Sequence, residues 1–349
     1  MEAAHHDVIG VDPHKSSLTA AALETDETTS ATRRFALNKG TGPAVLAWAA
    51  RFEDVLFAVE GAQGLGRGIS QFLLSQGHDV LDVPSTLSMK ARVLHAGGGR
   101  KTDAADARAV GWVAQHHEGL RSVATEDHAE ILDLLTRQRD GLQGERTRAL
   151  NRLHDLFRDL IPGGVPRGLT LTRGRAALRG LRPATAIGQT RRDLARDLIG
   201  EVARLEKLTD DYERRIAEEL QASGTSLMGL QCISTIMAGK ILGEVGDVRR
   251  FRSAGHFASY TGAAPLDTSS GDNLRQRLNP GGNRRLNSVL HVMAVCQIQH
   301  GGLGRDYYLK KLAEGKTPRK ARRALKRRLS NVIYRKILKD LSTGASANS

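Results

Sequence analysis

The sequence predicts an α/β domain, then long helices, then a mostly helical C-terminal domain: an α/β + α chain. Three patterns lead there. Over residues 1–125, short apolar runs bounded by turn residues alternate with helix-period segments, as in a mixed sheet covered by helices. Two long stretches then carry Leu, Ile and Val at spacings of three and four, the stripe of packing helices. After them, helical segments are interrupted by one Gly/Ser/Asn-rich loop at residues 262–283.

Taken in order, residues 7–12 (Asp-Val-Ile-Gly-Val-Asp) read as a short buried strand ending in an acid, and 16–24 and 32–38 as two hairpin-type strands. Residues 41–52 read as helix. Residues 54–60 (Asp-Val-Leu-Phe-Ala-Val-Glu) form a second strand ending in an acid, followed by an amphipathic helix at 65–76 and a strand at 78–83. Beyond Gly97-Gly98-Gly99, Thr102 is placed to cap a helix that opens Asp-Ala-Ala-Asp. A long helix at about 127–160 rests on Leu132, Leu135, Leu142, Ala149, Leu153, Leu156 and Leu160, and residues 161–189 read as a basic linker. A second long helix at about 190–222 carries Leu194, Leu198, Val202, Leu205, Leu208, Tyr212, Ile216 and Leu220. It lacks three clean heptads, so an intramolecular hairpin and a dimer seam both fit. Residues 227–246 have the rhythm of a helix–hairpin–helix, with Cys232 and Ser234 where that motif uses glycine. Helices follow at about 283–298, 304–314 and 317–341. The domains expected are 1–125, 126–225 and 226–341, with 342–349 a disordered polar tail.

The 349 residues include 52 Lys+Arg against 38 Asp+Glu, a formal net charge of +14, and 40% are hydrophobic. That apolar content excludes wholesale disorder. No run of about 18 apolar residues offers a membrane span, and Met1–Asp7 has no apolar signal-peptide core. Two cysteines, Cys232 and Cys296, make neither a disulfide framework nor a Cys-rich zinc module. A basic protein of a reducing, cytoplasmic compartment points to nucleic acid. The charge is uneven. Residues 1–120 hold 11 Lys+Arg against 14 Asp+Glu, whereas residues 301–349 hold 14 against 3. Carboxylates repel a phosphate backbone unless a cation stands between them.

The candidate catalytic residues follow from that acidic third. Asp12 and Glu60 each end an apolar strand, and Asp103 and Asp106 are three apart on one helix face. Four converging carboxylates need cations to stay ionised. Hard oxygen donors select Mg²⁺, with Mn²⁺ as the alternative, and such ions serve phosphodiester chemistry. The glycines at 61, 64, 66 and 68 imitate a dinucleotide fingerprint, but Ile69 stands where the last glycine is required. In the C-terminal loop, Ser269-Ser270-Gly271 is followed by Arg275, Arg277, Arg284 and Arg285, so a serine there could attack a phosphate while arginines steady the developing charge. No His/Asp partner at triad spacing accompanies it. Arg100 and Lys101 precede the acids Asp103 and Asp106. Arg148 and Arg152 lie on a basic face of the first long helix with Arg137, Arg139 and Arg146, and Arg322, Arg323, Lys326 and Arg327 on a strongly basic helix near the C-terminus. These are the candidate nucleic-acid contacts. Aromatics are only 4% of the chain, which favours backbone and duplex contacts over single-strand stacking platforms.

Together these pieces resemble the DEDD transposases of bacterial insertion sequences, the "one-ten" family of bridge-RNA-guided serine recombinases. The resemblance is carried by Val-Ile-Gly-Val-Asp12-Pro-His-Lys, Phe-Ala-Val-Glu60-Gly, Arg-Lys-Thr-Asp103-Ala-Ala-Asp106-Ala and Tyr260-Thr-Gly-Ala-Ala-Pro265…Ser269-Ser270-Gly271…Gly282-Asn283-Arg-Arg-Leu286, in order over residues 7–340. It implies a RuvC-like, RNase H-type N-terminal domain, a coiled-coil region and a C-terminal transposase domain. It implies that Asp12, Glu60, Asp103 and Asp106 hold Mg²⁺, and that Ser270, with Ser269 as fallback, joins covalently to DNA. The partners it implies are donor and target double-stranded DNA, a structured non-coding bridge RNA that delegates sequence choice to base pairing, and further copies of the chain as dimer or tetramer. The expected setting is the bacterial cytoplasm, in association with the nucleoid. Two alternatives compete: a junction-resolving nuclease that uses water and no serine, and a non-enzymatic nucleic-acid-binding regulator.

Overall fold

The computed structural model describes residues 7–24, 29–96, 102–264, 266–267, 276–277 and 281–347. They fall into two compact units, Met1–Glu126 and Asp127–Ser349.

The first unit is built on strands β1 (Val8–Pro13), β2 (Ser17–Leu23), β3 (Thr29–Ala36), β4 (Leu56–Glu60), β5 (Val80–Val83) and β6 (Arg121–Ser122), with helices α1 (Thr41–Ala49), α2 (Arg67–Ser75), α3 (Ser85–Ala96) and α4 (Asp103–His116). The sheet order is β3-β2-β1-β4-β5-β6. The first three strands are antiparallel neighbours, β4 and β5 run parallel to β1, and β6 returns antiparallel to β5. This is the RNase H-type arrangement that the resemblance implies. Strand alternation sorts the core into two faces. Ile9, Val11, Phe57 and Val59 pack with Val45 and Trp48 of α1 and Leu73 of α2. Val8, Ala58 and Val83 pack with Ala91 of α3 and Ala109, Val110 and Val113 of α4.

The second unit begins with α5 (His128–Leu160), α6 (Leu171–Arg179) and α7 (Ala186–Ala222). The charged pairs Arg139–Glu213 and Arg146–Glu206 advance along α5 while receding along α7, so the two helices run antiparallel as a hairpin within one chain. Then come α8 (Thr235–Val245), α9 (Ala254–Tyr260), the short strands β7 (Leu266–Asp267) and β8 (Gln276–Arg277), α10 (Arg284–His300), α11 (Leu303–Ala313) and α12 (Pro318–Ala347). One core joins Leu132 and Leu135 of α5, Ile216 and Leu220 of α7, Ile241 of α8, Leu290 of α10 and Leu329 of α12.

Three boundaries differ from the sequence reading. The long helices share this core with the C-terminal helices, so they belong to one unit with no division near 226. Helix α6 lies inside the stretch read as linker. It buries only Gly174 and Leu178, too little apolar surface to leave a periodic signal. Helix α12 continues to Ala347, so residues 342–347 are helical and not a disordered tail. Among the described residues, no helix is long and apolar enough to cross a membrane.

Candidate active site

On β1 the residues facing α4 are Val8, Gly10 and Asp12, two apart along the strand. On β4, Ala58 packs into the same α4 cluster, and Glu60 lies two residues further on that face. The parallel register pairs Val11 with Val59, so the next step brings Asp12 and Glu60 side by side at adjacent strand ends. Gly10 lets α4 sit directly on backbone. A Cβ at that position would lie 2.2 Å from the Ala107 carbonyl oxygen and 2.4 Å from Gly111 N. Gly111 is matched to it on the helix, where a Cβ would meet Leu23 Cδ1 at 2.6 Å. The close seat carries the first turn of α4, with Asp103 and Asp106, toward Asp12. Thr102 starts the helix as expected: its hydroxyl oxygen accepts from Ala105 N at 3.2 Å. After Glu60 the chain turns at Gly61, φ +57. Asp82 Oδ1 accepts from Ala62 N at 3.0 Å and holds that turn in place.

Asp12 is 6% exposed. Burial pushes its carboxyl up to about 6. His14 opposes the rise, while the negative charges of Glu60, Asp106 and Asp103 add to it. All four acids therefore share one electrostatic neighbourhood. Basic side chains border it. His14 Nε2 lies 3.2 Å from Asp12 Oδ2 and 3.5 Å from Asp103 Oδ1. A guanidinium nitrogen of Arg34 is 3.7 Å from Asp103 Oδ2, and Arg92 donates to Asp106 Oδ1 at 2.8 Å. Asp12 Oδ2 and His14 Nε2 are both buried and face each other at 3.2 Å, yet among the described residues neither makes a hydrogen bond of good geometry. Among the described residues, no three His, Cys, Asp or Glu side chains close on one point that could hold a metal ion. The donor set nevertheless fits Mg²⁺ or Mn²⁺: hard oxygens, mutual repulsion, and a buried carboxylate oxygen without a hydrogen bond among the described residues.

Other candidate residues divide. Ser269, Ser270, Arg100, Lys101 and Arg275 lie outside the described residues, as does the Arg277 side chain. Arg148, Arg152 and Arg284 are exposed. Arg285 is not free to meet nucleic acid. It pairs with Glu244 at 2.5 Å, Asp133 at 3.0 Å and Asp140 at 3.4 Å, and it donates to Thr136 Oγ1. Its role is to neutralise Glu244, a carboxylate that also receives Arg137 at 2.9 Å and the Asn283 amide. Gly243 makes that junction possible, since a Cβ there would stand 2.7 Å from Asp133 Cα. The basic face expected on α5 is largely consumed in the same way, with Arg137, Arg139 and Arg146 all paired to acids.

Comparison with known proteins decides the family. A family model described as "Transposase" matches residues 9–162, spanning all four acids, and one described as "Transposase IS116/IS110/IS902 family" matches residues 224–309. The chain belongs to this transposase family. The transposase is 25% identical to the insertion element IS116 44.8 kDa protein of Streptomyces clavuligerus, over 93% of each chain. It is 27% identical to the IS110 43.6 kDa protein of Streptomyces coelicolor, over 82% of each, and 25% identical to the IS900 42 kDa protein of Mycobacterium paratuberculosis, over 80% of this chain and 82% of that one. Among solved structures, T. thermophilus RuvC in complex with a Holliday junction substrate aligns over all of its own length and 34% of the transposase, at 15% identity and a TM-score of 0.28. A second T. thermophilus RuvC structure aligns over 99% of itself and 33% of the transposase, at 16% identity and 0.26.

Sequence reasoning passed over four residues of the transposase's acidic site. Asp82 holds the turn after Glu60, while His14, Arg34 and Arg92 lie against Asp12, Asp103 and Asp106; of these, Arg34 and Arg92 have no local spacing that connects them to the acid they touch. Only Asp12-Pro-His14 offered a signal, a histidine two residues beyond the first acid.

Proposed function

We propose that Asp12, Glu60, Asp103 and Asp106 form the strand-cleaving centre of this DNA transposase, holding Mg²⁺ or Mn²⁺, and that Ser270 is the nucleophile, with Ser269 as the fallback. The observation that carries the reading is the buried Asp12 carboxyl, which lies among the charges of Glu60, Asp103 and Asp106 at one end of the sheet with one oxygen lacking a hydrogen bond among the described residues. When bound, the cations supply electrostatic stabilisation to a phosphorane-like transition state. The chain's own groups do the rest. The serine hydroxyl oxygen attacks phosphorus and gives up its proton. The bond from phosphorus to the departing strand oxygen breaks, and that oxygen takes up a proton. A phosphoserine–DNA ester results. A free hydroxyl of another strand then attacks the ester, restoring the diester and releasing serine, so rejoining needs no ATP. Arginines that follow the serine in the sequence, Arg275 and Arg277, would balance the developing charge.

The element's own non-coding bridge RNA pairs with donor and target DNA and selects the sites, while the protein holds backbones through basic surfaces. A dimer or tetramer brings the required sites together, in the cytoplasm and at the nucleoid. The test has two arms. Asp12→Asn and Asp106→Asn abolish cleavage of DNA carrying the element ends, and wild-type rates in either variant remove the acids from the chemistry. Denaturing gels of the wild-type reaction contain a covalent protein–DNA adduct that Ser270→Ala lacks. Persistence of the adduct in that variant moves the nucleophile to another residue, and cleavage with no adduct in the wild type replaces serine by water.

A further inference from the structure

The fold treats its cations in two ways. On α5, Arg137, Arg139 and Arg146 are matched to carboxylates, as described. Between α10 and α12 the cations are not. Asn287 and His291 are four apart on one face of α10, and Arg322, Arg323 and Lys326 lie three and four apart on the facing side of α12. Lys326 Nζ bridges the helices by donating to Asn287 Oδ1 at 2.5 Å. Among the described residues, none of His291, Arg322, Arg323 and Lys326 has a carboxylate partner within ion-pair distance. Burial, Arg322 and Arg323 hold the Lys326 ammonium below its usual range. Burial, Lys326 and Arg322 do the same to the His291 imidazole. Like charges packed this closely cost free energy unless an anion joins them. Neighbouring cations of α12 are engaged elsewhere: Arg328 stacks over Tyr307 at 4.9 Å, and Arg327 donates to Asn331. Asn287 also ties the cluster to the chain just before the serine loop, since its amide donates to the Thr261 and Gly262 carbonyl oxygens at 3.0 and 2.9 Å.

We infer that the face formed by His291, Arg322, Arg323 and Lys326 is a phosphodiester clamp that grips the backbone of duplex DNA. The partner is DNA because a transposase must hold that substrate, and it is a duplex because the face carries cations at helical spacing and no aromatic platform. The inference rests on the transposase activity and is independent of which residue attacks phosphorus.

Binding of a short DNA duplex of arbitrary sequence, measured by anisotropy in buffer without divalent ions, tests it without any cleavage step. Failure of the acid or serine proposals would leave this binding intact. The Arg322→Ala/Arg323→Ala/Lys326→Ala variant loses about tenfold in affinity near 0.1 M salt, and its log K against log salt slope falls by about three. Because Lys326 is half-buried, the Arg322→Ala/Arg323→Ala pair provides a second reading, with a slope lower by about two and a melting temperature at or above that of the wild type. Arg196→Ala, which removes an exposed arginine paired with Asp193, leaves affinity and slope unchanged. Duplex affinity and salt slope equal to wild type in both multiple variants would overturn the clamp. A loss confined to an RNA hairpin, with duplex binding intact, would overturn the assignment to DNA.

Discussion

Replacing Gly10 by alanine tests how the acidic site is assembled. The added methyl would stand 2.2 Å from the Ala107 carbonyl oxygen and 2.4 Å from Gly111 N, both backbone atoms of α4 that cannot rotate away. A separation near 3.0 Å is the shortest such contacts tolerate, so helix and strand must part by about 0.8 Å or more. Strand β1 is hydrogen-bonded on both edges, to β2 and β4, so the displacement falls on α4. Overpacking of this kind costs about 1–3 kcal/mol. It also lifts Asp103 and Asp106 away from Asp12, and a misplacement of about 1 Å in a catalytic group costs on the order of 100-fold in rate. Urea denaturation followed by circular dichroism gives the first number, and cleavage of element-end DNA under saturating Mg²⁺ gives the second. Gly68→Ala is the control, because a Cβ there meets nothing within 4 Å. A Gly10→Ala protein with wild-type stability and wild-type cleavage would refute the proposal that the close seat of α4 builds the site.

Three further outcomes follow from the same geometry. In metal-free buffer the folded chain keeps a proton on Asp12 up to about pH 6, whereas an unfolded aspartate loses it near 3.8. Stability therefore declines as pH rises through that window, and Asp12→Asn removes this slope in pH-dependent melting; an unchanged slope would contradict the burial and repulsion assigned to Asp12. Arg285→Ala strands the buried Glu244 and lowers the stability of the second unit by about 3 kcal/mol in urea titration, whereas a loss under about 0.5 kcal/mol would show that Arg137 and Asn283 suffice. Thr102→Ala costs about 1 kcal/mol through the lost cap at the start of α4, and reduces cleavage more than this stability loss alone would.

What the sequence disclosed and what it withheld have physical causes. The strands ending in Asp12 and Glu60 were legible because apolar runs interrupted by an acid are uncommon, and the start of α4 because Thr102 followed by Asp-Ala-Ala-Asp is a local capping signal. Helices α3 and α6 were not legible. The first buries few apolar residues, with Leu87 packing only at the edge of the core. The second buries only Gly174 and Leu178 and carries three arginines among its nine residues. Pairing between distant elements was hidden altogether. Arg285 looked like a phosphate contact because its three carboxylate partners, Asp133, Asp140 and Glu244, lie at least 41 residues away along the chain. The basic stripe of α5 looked like a nucleic-acid face because Glu206 and Glu213 of α7 approach it only once the hairpin forms. Net charge predicts a partner class, but the pairing of each cation decides which surface is free to meet it.

The most direct test of the four-acid centre is calorimetric titration of Mn²⁺ into the transposase and its Asp12→Asn and Asp106→Asn variants, without DNA. Saturable binding in the wild type, lost or weakened at least tenfold in both variants, is the expected result. Equal Mn²⁺ binding by all three proteins would place the metal elsewhere and contradict the assignment of Asp12, Glu60, Asp103 and Asp106 as its ligands.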